Sequence, residues 1–67
     1  MVLERILIYC KQNDISIAAF ERLCNIGNGT IKKWKYTKPS IKSLEKIATA
    51  TGIPISIWLD GGDIFGN

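Results

Sequence analysis

Along the first dozen residues the apolar positions Leu3, Ile6, Tyr9 and Cys10 fall at i, i+3, i+6 and i+7, the spacing that lines side chains along one face of an α-helix. The pattern predicts a first helix over residues 2–12, broken by Asn13-Asp14. Leu7 and Ile8 are also large and apolar but lie off the stripe formed by Leu3, Ile6 and Cys10. Ser16 is suited to cap a second helix over residues 17–24, in which Phe20, Leu23 and Cys24 share a face. Asn25 follows, a residue that tolerates the left-handed conformation common at helix C-termini.

Gly27-Asn28-Gly29 then open a third helix, expected from residue 28 or 29 to residue 36 and stopped by Pro39. Ser40 caps a fourth, where Ile41, Leu44, Ile47, Ala48 and Thr51 form one buried stripe and Gly52 ends the run. Ile53-Pro54 starts a fifth short helix that ends near Asp60-Gly61-Gly62, with Ile55, Trp58 and Leu59 facing inward and Ile57 left pointing elsewhere. Strand-like alternation is weak throughout, and no repeat or linker interrupts the chain. The expectation is an all-α fold, a compact five-helix arrangement in a single domain over residues 1–67, with residues 61–67 as a short C-terminal tail.

Charge changes the picture. The net charge is only +3, yet Arg22, Lys32, Lys33, Lys35, Lys38 and Lys42 follow one another with no acid between them. Asp60 and Asp63 are the only charges in the last eight residues. A basic middle beside an acidic end predicts a face for a polyanion.

Other chemistry is scarce. The chain has no histidine, and Cys10 and Cys24 stand alone among apolar neighbours, which points to buried reduced thiols and gives no metal site and no cofactor. Neither cysteine has a base partner and the acids Glu4, Asp14, Glu21 and Glu45 are scattered, so an enzyme is not expected. The run from Leu3 to Cys10 is far shorter than the roughly 20 apolar residues of a bilayer span, and no secretory leader is visible. A cytoplasmic protein with no membrane or small-molecule ligand is the expectation.

Two short helices joined by a tight turn, then Thr30-Ile31-Lys32-Lys33-Trp34, then the run Pro39-Ser40-Ile41-Lys42-Ser43-Leu44-Glu45-Lys46-Ile47-Ala48, make a more specific pattern. The chain resembles the lambda-repressor-like (Cro/C1, or Xre-type) helix-turn-helix DNA-binding family of bacteria and their phages, over about residues 5–59. Phe20, Cys24, Ile26, Ile31 and Trp34 fall on the family's apolar positions, Asn25 on its turn residue, and Thr30-Ile31 on the start of its recognition helix. Three positions depart from the family pattern. Ile17 stands where a glutamine usually helps fix a phosphate, Glu21 where alanine is most common, and Asn25 where glycine is.

The resemblance implies a helix-turn-helix formed by the second and third helices and a sequence-specific regulator of transcription, in the manner of a small Cro-like or Xre-type repressor. At roughly 100° per residue, Asn28, Gly29, Lys32, Lys33 and Tyr36 share an arc of about 140° opposite Thr30, Ile31 and Trp34. The family's base-reading positions map onto Asn28, Gly29, Lys33 and Tyr36, with Lys32 between reading and phosphate contact. Asparagine suits adenine and lysine suits guanine in the major groove. By the same resemblance Thr30, Lys35, Lys38, Ser40 and Lys42 are phosphate contacts, and Arg22 on the second helix joins them. Trp34 is expected in the core, packed with Ile31.

Positions held here by Leu7, Ile8 and Ile57 are commonly polar in the family, and Ile64 and Phe65 add apolar groups after the last helix. They form the expected surface of a homodimer, which would require a near-palindromic operator on double-stranded DNA. The competing reading is a protein-binding module of helix-turn-helix shape, such as an antirepressor, with little operator binding.

Overall fold

The computed structural model describes residues 2–60. They form α1 (Val2–Gln12), α2 (Ile17–Leu23), a 3-10 helix (Ile31–Lys35), α3 (Ile41–Thr51) and α4 (Ile55–Asp60), with no strand among the described residues. Helix α1 packs against α2, the 3-10 helix and α4, while α3 packs against α4. Ile64 and Phe65 lie outside the described residues.

Each element contributes one side chain that is fully shielded from solvent: Ile6, Phe20, Ile31, Ile47 and Trp58. Burial of each such group stabilises the fold by roughly 1.5–3 kcal/mol before entropy is counted. Around them Tyr9, Phe20 and Trp58 meet edge to face, with ring centroids 5.5 to 6.2 Å apart, the arrangement that sets a positive ring edge against a negative face. A side chain from α1 ties the two ends of the chain together, because Arg5 donates to the carbonyl oxygens of Trp58, at 2.6 Å, and of Leu59. These carbonyls belong to the last turn of α4, where helical partners run out.

Local chemistry explains most of the boundaries. Ser16 accepts from the amide of Ala19 at 3.0 Å and Ser40 from that of Ser43 at 3.1 Å, each closing a helix start. Asn25 takes φ 58° after α2 and Gly52 takes φ 73° after α3, the left-handed residues that end helices. Asp14 does the same after α1, at φ 53°.

The architecture differs from the sequence expectation in its third element. Four α-helices and one 3-10 helix replace the five helices expected, and residues 28–30 are turn, so the helical part begins only at Ile31. Gly29, at φ 84°, cannot belong to a right-handed helix, and Pro39 disfavours helical geometry at Lys38. The segment between them holds Thr30, Ile31 and Trp34, residues of no more than moderate helix propensity. The tighter bonds of a 3-10 helix result: Lys33 N–H to the Thr30 carbonyl and Tyr36 N–H to that of Lys33.

Smaller differences concern faces. Val2, Ile6 and Cys10 are the buried residues of α1, with Leu3 half-buried. Ile41 is 65% exposed, since it precedes the part of α3 that reaches the core through Leu44 and Ile47. In α4, Leu59 is exposed and Ile57 half-buried against the core, the reverse of the expected assignment. The first turn there is tight, Ile57 N–H donating to Pro54 over three residues, so a regular 100° step misplaces the faces of so short a helix.

Candidate nucleic-acid interface

Helix α2 ends in a Schellman closure. The Asn25 amide donates to the Arg22 carbonyl at 3.2 Å and the Ile26 amide to that of Glu21 at 2.8 Å. This turns the chain sharply and buries Ile26 in the core. The turn is held from outside by Lys46 of α3, whose Nζ donates to the Asn25 carbonyl at 3.2 Å.

The 3-10 helix then presents three columns, because a period of three residues stacks side chains at i and i+3. Ile31 and Trp34 form the inward column and are buried. Lys32 with Lys35, and Lys33 with Tyr36, form two outward columns, all exposed. Tyr36 is 83% exposed, and the Lys35 ammonium lies 5.8 Å from its ring centroid, a cation–π contact. Among the described residues no acid pairs with Lys32, Lys33, Lys35 or Lys38. Among the described residues these lysines are thus not neutralised by pairing, as attraction to a polyanion requires.

The remaining sequence-predicted residues take distinct places. Asn28 is exposed and Gly29 half-buried, but both belong to the turn before the 3-10 helix and not to a helical arc. Thr30 is half-buried and makes no side-chain cap bond. Arg22 is exposed on the last turn of α2. Lys38 is exposed in the connection to α3, and Lys42 lines a hollow with Leu23, Asn25 and Lys46, beside the end of α2. The Ser40 oxygen is engaged at the start of α3, accepting from the Ser43 amide and lying 3.1 Å from the Ser43 hydroxyl. Ile17 packs against the core. Leu7 is 49% exposed on α1, while Ile8 on α1 and Ile57 on α4 are half-buried against the core.

Glu21, which the sequence marked only as a scattered acid and a departure from the family pattern, had no assigned place in the site. Glu21 is a buried carboxylate, 3% exposed, and both its oxygens are occupied: Oε1 accepts from the Gly29 amide and Oε2 from the Ile31 amide, each at 3.1 Å. These bonds offset the cost of removing the carboxylate from water. A signal existed in the helical spacing, since Ile17 and Cys24, four before and three after Glu21, are apolar and mark its position as inward.

The two cysteines are free and buried. Burial pushes the Cys10 thiol up, and burial followed by the nearby Cys10 pushes that of Cys24 up to about 11. Both are thus neutral and poor nucleophiles at ordinary pH. Among the described residues no group of histidine, cysteine and acid side chains could hold a metal ion, and no helix is long and apolar enough to cross a membrane.

The chain matches the family described as Cro/C1-type HTH DNA-binding domain, over residues 5–56. No curated protein and no solved structure matches the chain significantly. The family match spans α1 through the start of α4 and so includes every part of the basic surface just described. By that extent, the chain belongs to the Cro/C1-type helix-turn-helix DNA-binding domain family.

Proposed function

We propose that this DNA-binding domain is a sequence-specific regulator of transcription, a small Cro-like or Xre-type repressor of a phage, mobile element or bacterium. In this reading α2, the turns through Thr30 and the 3-10 helix act as the helix-turn-helix. The observation that carries it is the 3-10 helix itself: anchored by buried Ile31 and Trp34, it turns Lys32, Lys33, Lys35 and Tyr36 outward, with no acid paired to these lysines among the described residues. Asn28, Gly29, Lys33 and Tyr36 read bases in the major groove, with Lys32 at the edge of that set. Arg22, Thr30, Lys35, Lys38, Ser40 and Lys42 hold the sugar-phosphate backbone.

The repressor acts as a homodimer through α1 and α4, where Leu7 and Leu59 expose about half of their surface. Two reading segments about 34 Å apart would then meet successive major grooves of a near-palindromic operator.

Selection of bound sites from a random duplex pool tests the reading. Enrichment of a two-fold related motif, with Lys33→Ala relaxing preference at one base and Lys35→Ala weakening every sequence alike, is the expected result. Recovery of no motif, with retention on protein partners instead, would replace it by the protein-binding reading.

A further inference from the structure

The carboxylate of Glu21 lies beneath the segment to which base reading is assigned, and none of the roles given so far to the basic face includes it. Its two oxygens take the amides of Gly29 and Ile31, one on each side of Thr30. Successive amides that converge on one anion form a nest, a backbone arrangement that binds phosphate when no internal group fills it. Here the occupant is an acid of the chain itself, held in place by burial on α2.

We propose that Glu21 is a positioning residue for sequence discrimination: by filling this nest it fixes the register of residues 29–31. The inference rests on the DNA-reading role proposed above. One physical consequence follows. Base readout tolerates errors of only a few tenths of an ångström in a hydrogen bond, and the segment that presents Asn28 and Lys33 has no side-chain cap of its own, since Thr30 makes none. Glu21 supplies the missing anchor from eight and ten residues back. The labour is thus divided: the lysines attract DNA, and Glu21 holds the segment that carries Lys32 and Lys33.

The test begins with the wild-type protein. Scalar couplings across hydrogen bonds, from the Gly29 and Ile31 amide nitrogens to the Glu21 carboxyl carbon, should be detectable by NMR, and absence of both would overturn the proposal whether or not the protein binds DNA. Affinities of wild type, Glu21→Gln and Glu21→Asp are then compared on the selected site and on random-sequence duplex, at a temperature where circular dichroism shows all three folded. Gln keeps the length and loses one acceptor; Asp keeps the charge and withdraws it by one methylene. Both should lower the ratio of selected-site to random affinity at least tenfold, with random-sequence affinity unchanged or higher. A ratio within twofold of wild type in either variant, or equal losses on both DNAs, would overturn the proposal, because a merely structural residue would act on both alike. Failure of both variants to fold would likewise assign Glu21 to folding and not to positioning. If wild-type protein binds no duplex while the couplings are present, it is the DNA-reading function that fails.

Discussion

Helices α1 and α2 end with the same backbone device and are followed by different beginnings. After α1, Asp14 at φ 53° lets its amide reach the Lys11 carbonyl at 3.3 Å and the Ile15 amide reach that of Cys10 at 2.9 Å. After α2, Asn25 at φ 58° makes the equivalent bonds to Arg22 and Glu21. From there the two segments diverge. The first turn leads to Ser16, whose hydroxyl caps α2 from three residues away, and a regular helix follows. The second leads through Gly29 to Thr30, which caps nothing, and the short helix beyond it depends on a carboxylate from the preceding helix. One helix start is thus secured locally and the other by tertiary structure. The lesson is that the segment carrying the exposed lysines and Tyr36 is one whose start its own residues do not secure.

Removing the distant anchor should be the most damaging way to break this comparison. Glu21→Ala leaves the Gly29 and Ile31 amides without their acceptor in a part-buried site, and a loss on the order of 3 kcal/mol is expected in urea or thermal unfolding. A change below about 1 kcal/mol would mean that water replaces the carboxylate readily. Next comes Gly29→Ala. Nothing lies within 4 Å of the position a β-carbon would take, so the cost is the backbone's alone at φ 84°, about 1–2 kcal/mol. Crowding against DNA would add to this only in binding assays, which separates the two effects.

Ser16→Ala removes the local cap and should cost about 1 kcal/mol, typical for such positions. Its effect should fall on α2 while leaving the amide resonances of residues 29–31 nearly unmoved, in contrast to Glu21→Ala. Smaller still are Asp14→Gly and Asn25→Gly. Relief of the positive-φ strain opposes the added freedom of glycine in the unfolded chain, so changes within about 0.5 kcal/mol and of the same sign are expected at both turns. A loss at Asn25 alone would show that its side chain does something the backbone closure does not require.

The thiols offer the mildest probe of the two closures, since Cys10 lies in the last turn of α1 and Cys24 caps α2. Both pKa values are raised in the fold, that of Cys24 to about 11, chiefly by burial. Above pH 9 the unfolded thiols release protons that the folded ones retain, so stability should be constant below that pH and decline as pH approaches 11. Alkylation at pH 8 should be slow in the native protein and fast in urea; prompt native modification of Cys24 would mean that the end of α2 opens locally.

What the sequence by itself determined is what acts within a turn or two of chain. The helix period placed α1 at residues 2–12, Ser16 and Ser40 marked two starts, and Asn25 and Gly52 marked two ends, because caps and left-handed residues need only near neighbours. The family, too, was legible in the order of these same signals. Tertiary structure decided the rest. It made residues 28–30 a turn and the following helix 3-10, in which Ile31 and Trp34, three residues apart, both reach the core. It brought Arg5 to the end of α4, 53 and 54 residues away, and chose Ile57 over Leu59 for partial burial. Above all it turned Glu21 from one scattered acid into the buried anchor of residues 29–31. A carboxylate's partners are backbone amides, which every residue but proline carries, so only the folded chain could reveal which of them it would meet.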